Sequence, residues 1–466
     1  MPRPALDSLR LSLLLQAGGV MGGGEILGRL GVSSPTLSRM VKGLGVSVER
    51  IGAARRSRYA LRREVRSLGW EWPVYRLNER GVHRVWGMLR ALHGGFRFVP
   101  ADTFPSWWAG EYADGVFSGL PFFLQEVRPQ GFLGRSLVQG LAERYGVTPD
   151  LRRWSDDDAL TYFLMEGDDL PGDIVVGDRA MERAVRRSER VATDAIRVGD
   201  RERVYPELAT AVQRGGWIGS SAGGEQPKFL ATVTRASGEF RPVIVKFSAA
   251  EASPVSQRWA DLLGCEHLAL ETLGERGVRV ARTEILDAAG RRFLEVERFD
   301  RLGAVGRRSV LSLGGLEDAW VTGTSSDWVG ASAHLSREGW TSEADARTLR
   351  WVWCFGALIG NTDMHRGNLG FWFGDAPPFG LAPVYDMLPM LYAPGSQGDL
   401  SEREFSPGLP LAAVADVWSE AAAAAVCFWE RVAADGRISH GLRRLADANG
   451  KKVARPAGAG SAKFEE

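Results

Sequence analysis

The sequence predicts an α+β protein with a small basic N-terminal domain and a larger two-lobed domain whose C-terminal lobe is mostly helical. Three observations lead to this prediction. Residues 1–63 carry eleven Lys or Arg and three acidic residues, a net charge of about +8, on short helical patterns. Residues 217–247 place a glycine-containing loop before strand-like runs. Residues 345–386 place a helical segment before a loop with Asp and Asn side chains.

The overall composition is ordinary for a soluble globular protein. The chain has 466 residues, of which 44% are hydrophobic and 25% are charged, and its net charge is only +1. Cys265, Cys354 and Cys427 are widely spaced and predict neither a disulfide framework nor a metal knuckle. Leu11–Leu15 predicts a first helix rather than a signal peptide, and no apolar run approaches the length of a membrane span. We therefore expect a cytoplasmic protein that makes no membrane contact.

Two short helices are predicted near the N-terminus. Residues 25–30 have the spacing of one apolar helix face. After a turn, Ser34 can cap a second helix with Pro35 at its first position, where the missing N–H costs little. This second helix, residues 35–44, has an apolar face and a polar, basic face.

The pattern that follows predicts a winged helix-turn-helix, whose second helix enters the major groove of DNA. Residues 46–61 predict a hairpin with an arginine-rich tip, which would form the wing beside the phosphates. Polar residues of the second helix would read bases, and basic residues would bind phosphates. A helical hairpin for protein contact is the alternative. The predicted DNA-binding residues are Thr36, Ser38, Arg39, Lys42, Arg55, Arg56 and Arg58.

A glycine-containing loop, residues 217–228, precedes two strand-like runs. Its spacing is not that of a Walker A loop, and it suits either close approach to phosphates or a simple turn. Lys246 interrupts the second apolar run, residues 242–247. A lysine inside a buried strand is costly unless an anion neutralises it, although a lysine at a strand end can also reach solvent. In kinase-type folds a lysine on this strand contacts the nucleotide phosphates.

The polar loop predicts phosphoryl-transfer chemistry. Asp363 and Asn368 are five residues apart, and Asp386 follows at the end of a predicted short strand. One carboxylate can orient an attacking hydroxyl, while the amide and the second carboxylate can hold metal ions. Each of these residues alone could be a helix cap or a turn residue. A predicted hinge at residues 292–301 and helices at 345–359 complete the linear order of a bilobal kinase.

Four segments resemble the HipA family of bacterial serine/threonine kinases, which are the toxin halves of toxin–antitoxin pairs. These segments are 221–228 (SAGGEQPK), 296–301 (VERFDR), 361–368 (NTDMHRGN) and 381–386 (LAPVYD). The resemblance covers about residues 80–445. The added basic N-terminal domain is similar in particular to the YjjJ, or HipH, branch of the family.

The resemblance implies a HipA-like, protein-kinase-like fold and a role for each matched polar residue. Asp363 would be the catalytic base or hydroxyl-orienting residue. Asn368 and Asp386 would coordinate Mg²⁺, and His365 would support the catalytic loop. Two features depart from the family pattern, because residues 313–317 lack the usual polar motif and Glu225 adds a charge to the glycine loop.

ATP is the nucleotide that the resemblance implies, and Lys246 would pair with its phosphates. Ser221, or the neighbouring Ser220, would be an autophosphorylated residue whose modification silences the kinase. The implied ATP-binding residues are Lys246, Gly223, Gly224, Lys228, Glu297 and Phe299, the last two through their backbone.

The resulting domain organisation has five parts. They are a winged helix-turn-helix domain at 1–63, a HipA-like N-terminal subdomain at 64–200, a kinase N-lobe at 201–300, a helical C-lobe at 301–448 and a disordered tail at 449–466.

We expect an ATP-dependent serine/threonine protein kinase that phosphorylates a host protein and binds DNA through its N-terminal domain. Two other hypotheses stay open at this point: a transcription regulator that uses the kinase-like domain as a nucleotide or ligand sensor, and a small-molecule kinase. A separate antitoxin and a homodimer are both compatible with the sequence.

Overall fold

The computed structural model of the chain describes residues 3–105, 107–108, 112–129, 138, 140–214, 226–320, 327–395, 398–400 and 403–455. The chain forms two compact units. The first comprises Met1–Asn78, Val82–Arg128 and Gly140–Arg187, and the second comprises Glu79–Gly81, Pro129–Gln139 and Ser188–Glu466. Residues on both sides of the predicted domain boundary at residue 63 belong to the first unit.

The first unit begins with a three-helix module that carries a small sheet. Its strands pair antiparallel in the order β1-β3-β2. Leu11, Leu15, Ile26, Leu37 and Met40 form its buried core, which is why the apolar positions of the three helices recur at helical spacing. The elements are α1 (Arg3–Gly18), β1 (Met21–Gly22), α2 (Gly23–Leu30), α3 (Ser34–Leu44), β2 (Val48–Ile51) and β3 (Arg58–Leu61).

Two details of this module differ from the prediction. The N-cap of α3 is Ser33, and Ser34 is already helical, because the extended backbone lies one residue earlier than expected. Arg58 does not lie at the hairpin tip. It is the first residue of β3, and its guanidinium forms an ion pair with Asp114. The tip itself is a short turn, Ala54–Arg56.

The rest of the first unit is built on an antiparallel five-stranded sheet with the order β7-β6-β5-β4-β8. The strands are β4 (Glu71–Leu77), β5 (His83–Leu92), β6 (Gly95–Pro100), β7 (Val116–Phe117) and β8 (Ile174–Val176). Helices of this part of the chain are α4 (Phe122–Gln125), α5 (Asp156–Glu166) and α6 (Asp178–Asp194).

A buried carboxylate joins the N-terminal module to this sheet. Glu49 of β2 is 3% exposed and accepts hydrogen bonds from Arg62 Nε at 2.9 Å and Arg90 Nη1 at 2.7 Å, with Arg97 as a third partner. Burial raises the pKa of Glu49, but the hydrogen bonds from Arg62 and Arg90 outweigh it, so the pKa lies below its ordinary value. Arg63 adds a two-bond contact to Asp157, at 2.7 Å for each bond.

The second unit contains a five-stranded sheet with the order β12-β13-β11-β10-β9. One face, with Val243, Val245 and Phe247, packs against α7, and the other packs Leu294 against Leu263 of α8. The elements are β9 (Ile196–Arg197), α7 (Arg201–Arg214), β10 (Lys228–Thr234), β11 (Phe240–Phe247), α8 (Pro254–Glu275), β12 (Thr283–Ala288) and β13 (Arg291–Glu297).

The remainder of the second unit is mainly helical. Two small two-stranded sheets, β14-β15 and β16-β17, lie among the helices. The elements are β14 (Arg301–Leu302), β15 (Gly306–Arg307), β16 (Val310–Ser312), α9 (Leu313–Trp320), α10 (Trp328–Arg337), α11 (Glu343–Leu358), β17 (Gly370–Trp372), α12 (Ala415–Ala434) and α13 (His440–Ala454).

One prediction about the C-terminal region was wrong. The tail expected to be disordered from Asn449 is helical as far as Ala454, because Asn449 is buried and donates a hydrogen bond to the Tyr392 hydroxyl at 2.7 Å.

In the described part of the chain, the segment Ala412–Ala434 is long and apolar enough to cross a membrane by length and composition alone. Its apolar residues include a buried stripe with Phe428 and Trp429, which is the pattern of a core helix.

Candidate active site

A buried lysine forms the centre of the candidate active site. Lys246 of β11 is 7% exposed, and its ammonium contacts both carboxylate oxygens of Glu266, at 2.7 and 2.8 Å. The same ammonium donates a hydrogen bond to Asp386 Oδ1. One cation therefore joins a strand, the helix α8 and the segment that follows β17.

The charges of this cluster stabilise one another. Burial alone would lower the pKa of Lys246, but the carboxylates of Asp386 and Glu266 raise it above its ordinary value. Burial raises the pKa of Asp386, yet attraction to Lys246 and Lys228 outweighs burial and leaves that pKa below its usual range. Asp386 is therefore a carboxylate and Lys246 an ammonium at neutral pH.

Strand register explains the position of the lysine. Lys246 lies opposite Lys228 of β10 and Leu294 of β13, so its side chain leaves the sheet on the face that packs against α8. That helix presents Glu266, which is 1% exposed.

Sequence reasoning missed Glu266. The available signal was a lone acid inside the apolar run 262–270 of a helix that follows the strand lysine. An uncompensated carboxylate in that position predicts a buried cation nearby.

Asp386 does not end a strand as predicted. Its segment makes two isolated bridges, Phe371 with Leu381 and Val280 with Val384, and Asp386 itself adopts the left-handed region with φ of 53°. Aspartate tolerates this conformation better than most residues do. The bend turns its carboxylate toward Lys246.

The loop between α11 and β17 is held by side-chain amides. Asn361 Oδ1 accepts a hydrogen bond from the backbone N–H of Asp363 at 3.0 Å, and Asn361 Nδ2 donates to the carbonyl of Asp386 at 3.4 Å. Asn368 Nδ2 donates to the carbonyl of Asp363 at 2.8 Å. Asp363, with an exposed side chain, is thereby fixed beside the segment that carries Asp386.

His365 stabilises the same loop. Its Nδ1 accepts a hydrogen bond from the N–H of Gly367 at 3.0 Å, and the Tyr385 hydroxyl donates to the Gly367 carbonyl at 2.6 Å. Arg366 contacts Glu317 of α9 at 3.2 Å. The supporting role of His365 stays a prediction.

The predicted hinge is only partly available to a nucleotide. The N–H of Glu297 already donates to the carbonyl of Arg282 at 2.8 Å. An adenine contact from the backbone of Glu297 would therefore be made by its carbonyl group. The ring of Phe299 lies 5.8 Å from that of Trp372 and 5.7 Å from that of Tyr385. The predicted residues Gly223, Gly224, Ser220 and Ser221 lie outside the described residues.

The oxygen donors of the site suit Mg²⁺. Because Asn368 Nδ2 donates to the Asp363 carbonyl, its Oδ1 is the amide atom that could coordinate a metal ion, and Asp386 supplies an ionised carboxylate. Mg²⁺ is commonly held by one or two such protein oxygens together with phosphates and water. Within the described residues, no group of three His, Cys, Asp or Glu side chains could hold a metal ion by itself.

The predicted DNA-binding residues divide into two groups. Ser38, Arg39 and Lys42 are exposed on α3, and Arg39 Nη2 donates to Thr36 Oγ1 at 3.2 Å. Arg56 is exposed at the tip of the hairpin, whereas Arg58 is held by Asp114. The α3 residues and Arg56 at the tip thus remain candidates for DNA binding, whereas Arg58 is paired with Asp114.

Comparisons with known proteins give a consistent picture. Residues 68–185 match the family described as YjjJ-like toxin, middle domain, and residues 220–446 match the HipA-like C-terminal domain. The chain is 35% identical over 444 residues to Toxin YjjJ of Escherichia coli strain K12, covering 95% of this chain and 96% of that protein.

Two solved structures are more distantly similar. HipA from the Shewanella oneidensis MR-1 complex with HipB and operator DNA is 17% identical, with a TM-score of 0.44, over 73% of this chain and 85% of that one. The Helicobacter pylori proinflammatory kinase CtkA is 13% identical, with a TM-score of 0.35, over 50% of this chain and 89% of that one.

Replacing Lys246 by Met should strongly destabilise the protein, because Glu266 and Asp386 would lose their shared cation. Breaking a buried ion pair in this way costs about 3–5 kcal/mol, and we expect a clear fall in melting temperature by calorimetry. Adding Glu266→Met should restore part of the loss. The matched control Lys451→Met removes an exposed lysine that pairs with Asp447 and should leave the melting temperature nearly unchanged. Equal melting of Lys246→Met and wild type would contradict the buried cluster.

Proposed function

Because the chain belongs to the HipA-like toxins of the YjjJ branch, we propose that it is an ATP- and Mg²⁺-dependent serine/threonine protein kinase joined to its own DNA-binding domain. Its substrate is a host protein, and it also phosphorylates a serine of its own glycine loop. The observation that carries this proposal is the buried contact of Lys246 with Glu266 and Asp386.

That contact matches what a kinase site requires. In protein kinases a strand lysine pairs with a helix glutamate, and an aspartate beside them holds the metal ion. Here Lys246 comes from β11, Glu266 from α8 and Asp386 from the segment after β17. Glu266 holds the ammonium in position with two hydrogen bonds, and Lys246 keeps Asp386 ionised.

Each residue then has a defined task. Lys246 and Lys228 supply positive charge for the nucleotide phosphates, and Asn368 with Asp386 would hold Mg²⁺. The bound metal would neutralise negative charge on the phosphates. Asp363 orients the substrate hydroxyl and accepts its proton. The backbone of Asp363 is held for that purpose because its N–H donates to Asn361 Oδ1 and its carbonyl accepts from Asn368 Nδ2.

The N-terminal module supports the second part of the proposal. Its three helices and three-stranded antiparallel sheet have the element order of a winged helix, with α3 as the recognition helix. Ser38, Arg39 and Lys42 are exposed on α3, as a helix in the major groove requires. We propose that this module binds a specific DNA site and thereby places the kinase there. We also propose that the protein acts in the cytoplasm.

Replacing Asp363 by Asn should abolish phosphoryl transfer and leave folding intact, since the side chain is exposed and its size hardly changes. We expect label transfer from γ-labelled ATP with Mg²⁺ to fall by about 100-fold or more. Asp102→Asn, a change at an exposed aspartate of the first unit, is the matched control and should keep wild-type transfer.

Undiminished labelling of Asp363→Asn would reject the assignment of this residue. Absence of label with wild type would reject the kinase proposal. Nucleotide binding without transfer, together with specific DNA binding, would instead indicate a regulator that uses the kinase-like unit as a sensor.

DNA binding should depend on α3 and the hairpin tip but only weakly on Arg58. Arg39→Ala, Lys42→Ala and Arg56→Ala should each weaken binding and reduce the slope of log affinity against log salt by about one, because each loses a phosphate contact. Arg58→Ala is the matched control, since Asp114 already neutralises Arg58. Fluorescence anisotropy with a labelled duplex at several salt concentrations measures the slopes. Identical slopes for wild type and all three α3 and tip variants would contradict DNA binding by these residues. That result would favour the alternative, a module that contacts protein.

A further inference from the structure

The N-terminal helix α1 carries apolar residues on two faces. Leu11 and Leu15 are fully buried in the core of the three-helix module. Leu6, Leu9 and Leu13 are 50%, 47% and 56% exposed. A surface helix normally has one apolar face, and a helix that is apolar on more than one face is normally buried on each of them. The outer face of α1 is therefore expected to be covered in the functional protein.

The three exposed leucines form one stripe. They are separated by three and four residues, so they lie one above another along the same side of the helix. This is the spacing with which two helices pack side by side. Single exposed leucines are common on protein surfaces, whereas a contiguous apolar patch is typical of an interaction surface.

Two charged residues flank the stripe in a self-complementary order. Asp7 and Arg10 are three residues apart on one flank, with a long contact of 3.9 Å between them. Arg10 also donates to the carbonyl of Leu30 at 3.2 Å, which leaves other N–H groups of its guanidinium for a further partner. When two identical helices pack antiparallel about a two-fold axis, this flank of one helix meets the same flank of the other in the opposite direction. With the axis close to Leu9, Asp7 of one copy would face Arg10 of the second copy, and symmetry would repeat the pair.

We propose that α1 is the surface through which two copies of this chain form a symmetric dimer. The two α1 helices pack antiparallel, with Leu9 of each copy near the two-fold axis and Leu6 of one copy against Leu13 of the other. The leucines exclude water from the contact, and the two Asp7–Arg10 pairs favour the antiparallel direction. A second copy supplies both a matching stripe and matching charges.

The position of α1 gives this dimer a role in DNA recognition, which rests on the DNA binding proposed above. Leu11 and Leu15 share one core with Leu37 and Met40 of α3. Ser8 Oγ of α1 also donates to the carbonyl of Met40 at 3.4 Å. Joining two α1 helices would therefore fix the separation of two α3 helices, as a protein that binds two half-sites of one DNA site requires.

Sedimentation velocity of the full chain, without DNA or nucleotide, tests the proposal. Because three leucines per copy make a small contact, wild type should form a reversible dimer with a dissociation constant of about 10–100 μM. The double variant Leu9→Glu, Leu13→Glu should weaken dimerisation by about tenfold or more, since it places carboxylates of both copies in the contact. Leu409→Glu, at a leucine of the second unit that is 73% exposed, is the matched control and should dimerise as wild type does.

Exchanging the two charges separates this interface from non-specific apolar association. Asp7→Arg and Arg10→Asp should each weaken dimerisation by about threefold or more, because like charges then face each other across the axis. The double variant Asp7→Arg, Arg10→Asp restores complementary pairs and should dimerise as wild type does. A melting curve for each variant confirms that the protein is folded.

Three results would overturn the proposal. One is a wild-type protein that stays monomeric up to about 300 μM. Another is undiminished dimerisation of the folded Leu9→Glu, Leu13→Glu variant, which would place the interface elsewhere. The third is a double charge variant that dimerises no better than the single variants, which would contradict the antiparallel arrangement. Because the readout is association of the protein alone, failure of the proposed kinase activity or DNA binding would leave each result unaffected.

Discussion

The burial of the Lys246 ammonium is the constraint on which the rest of the second unit depends. A lysine inside a sheet needs carboxylates within hydrogen-bonding distance, and this one has Glu266 and Asp386. The contact with Glu266 requires α8 to present a glutamate from an otherwise apolar surface. The contact with Asp386 requires the chain after β17 to bend through a residue in the left-handed region. Strand, helix and loop are thus positioned by the same charge.

The sequence predicted the parts of this site that are local in the chain. Lys246 breaks an apolar strand pattern, and Asp363 and Asn368 lie in one polar loop, so each could be recognised without knowledge of contacts. Glu266 was missed because its role depends on which face of α8 meets the sheet. The bend at Asp386 could not be predicted, since it results from tertiary bridges to β17 and to Val280.

Charge counting predicted a basic DNA-binding module, but it included arginines that are paired within the first unit. Arg62 is held by Glu49, Arg63 by Asp157 and Arg58 by Asp114. Arg58 and Arg63 thus pair with acidic residues elsewhere in the first unit, and Arg62 pairs with a glutamate of the module itself. A net charge of a segment does not reveal which of its charges are paired with residues far away in the sequence, whereas the structure separates the two groups.

The most direct test of the central claim is to measure phosphoryl transfer by Glu266→Gln and by wild type, with both proteins shown to be folded. Glutamine keeps the shape of the side chain but removes the charge that positions Lys246. The account predicts a folded protein whose rate of phosphoryl transfer from γ-labelled ATP is reduced about tenfold or more. The rate should also rise less steeply with ATP concentration than it does for wild type. Wild-type transfer by a folded Glu266→Gln protein would contradict the claim that this buried charge cluster organises the active site.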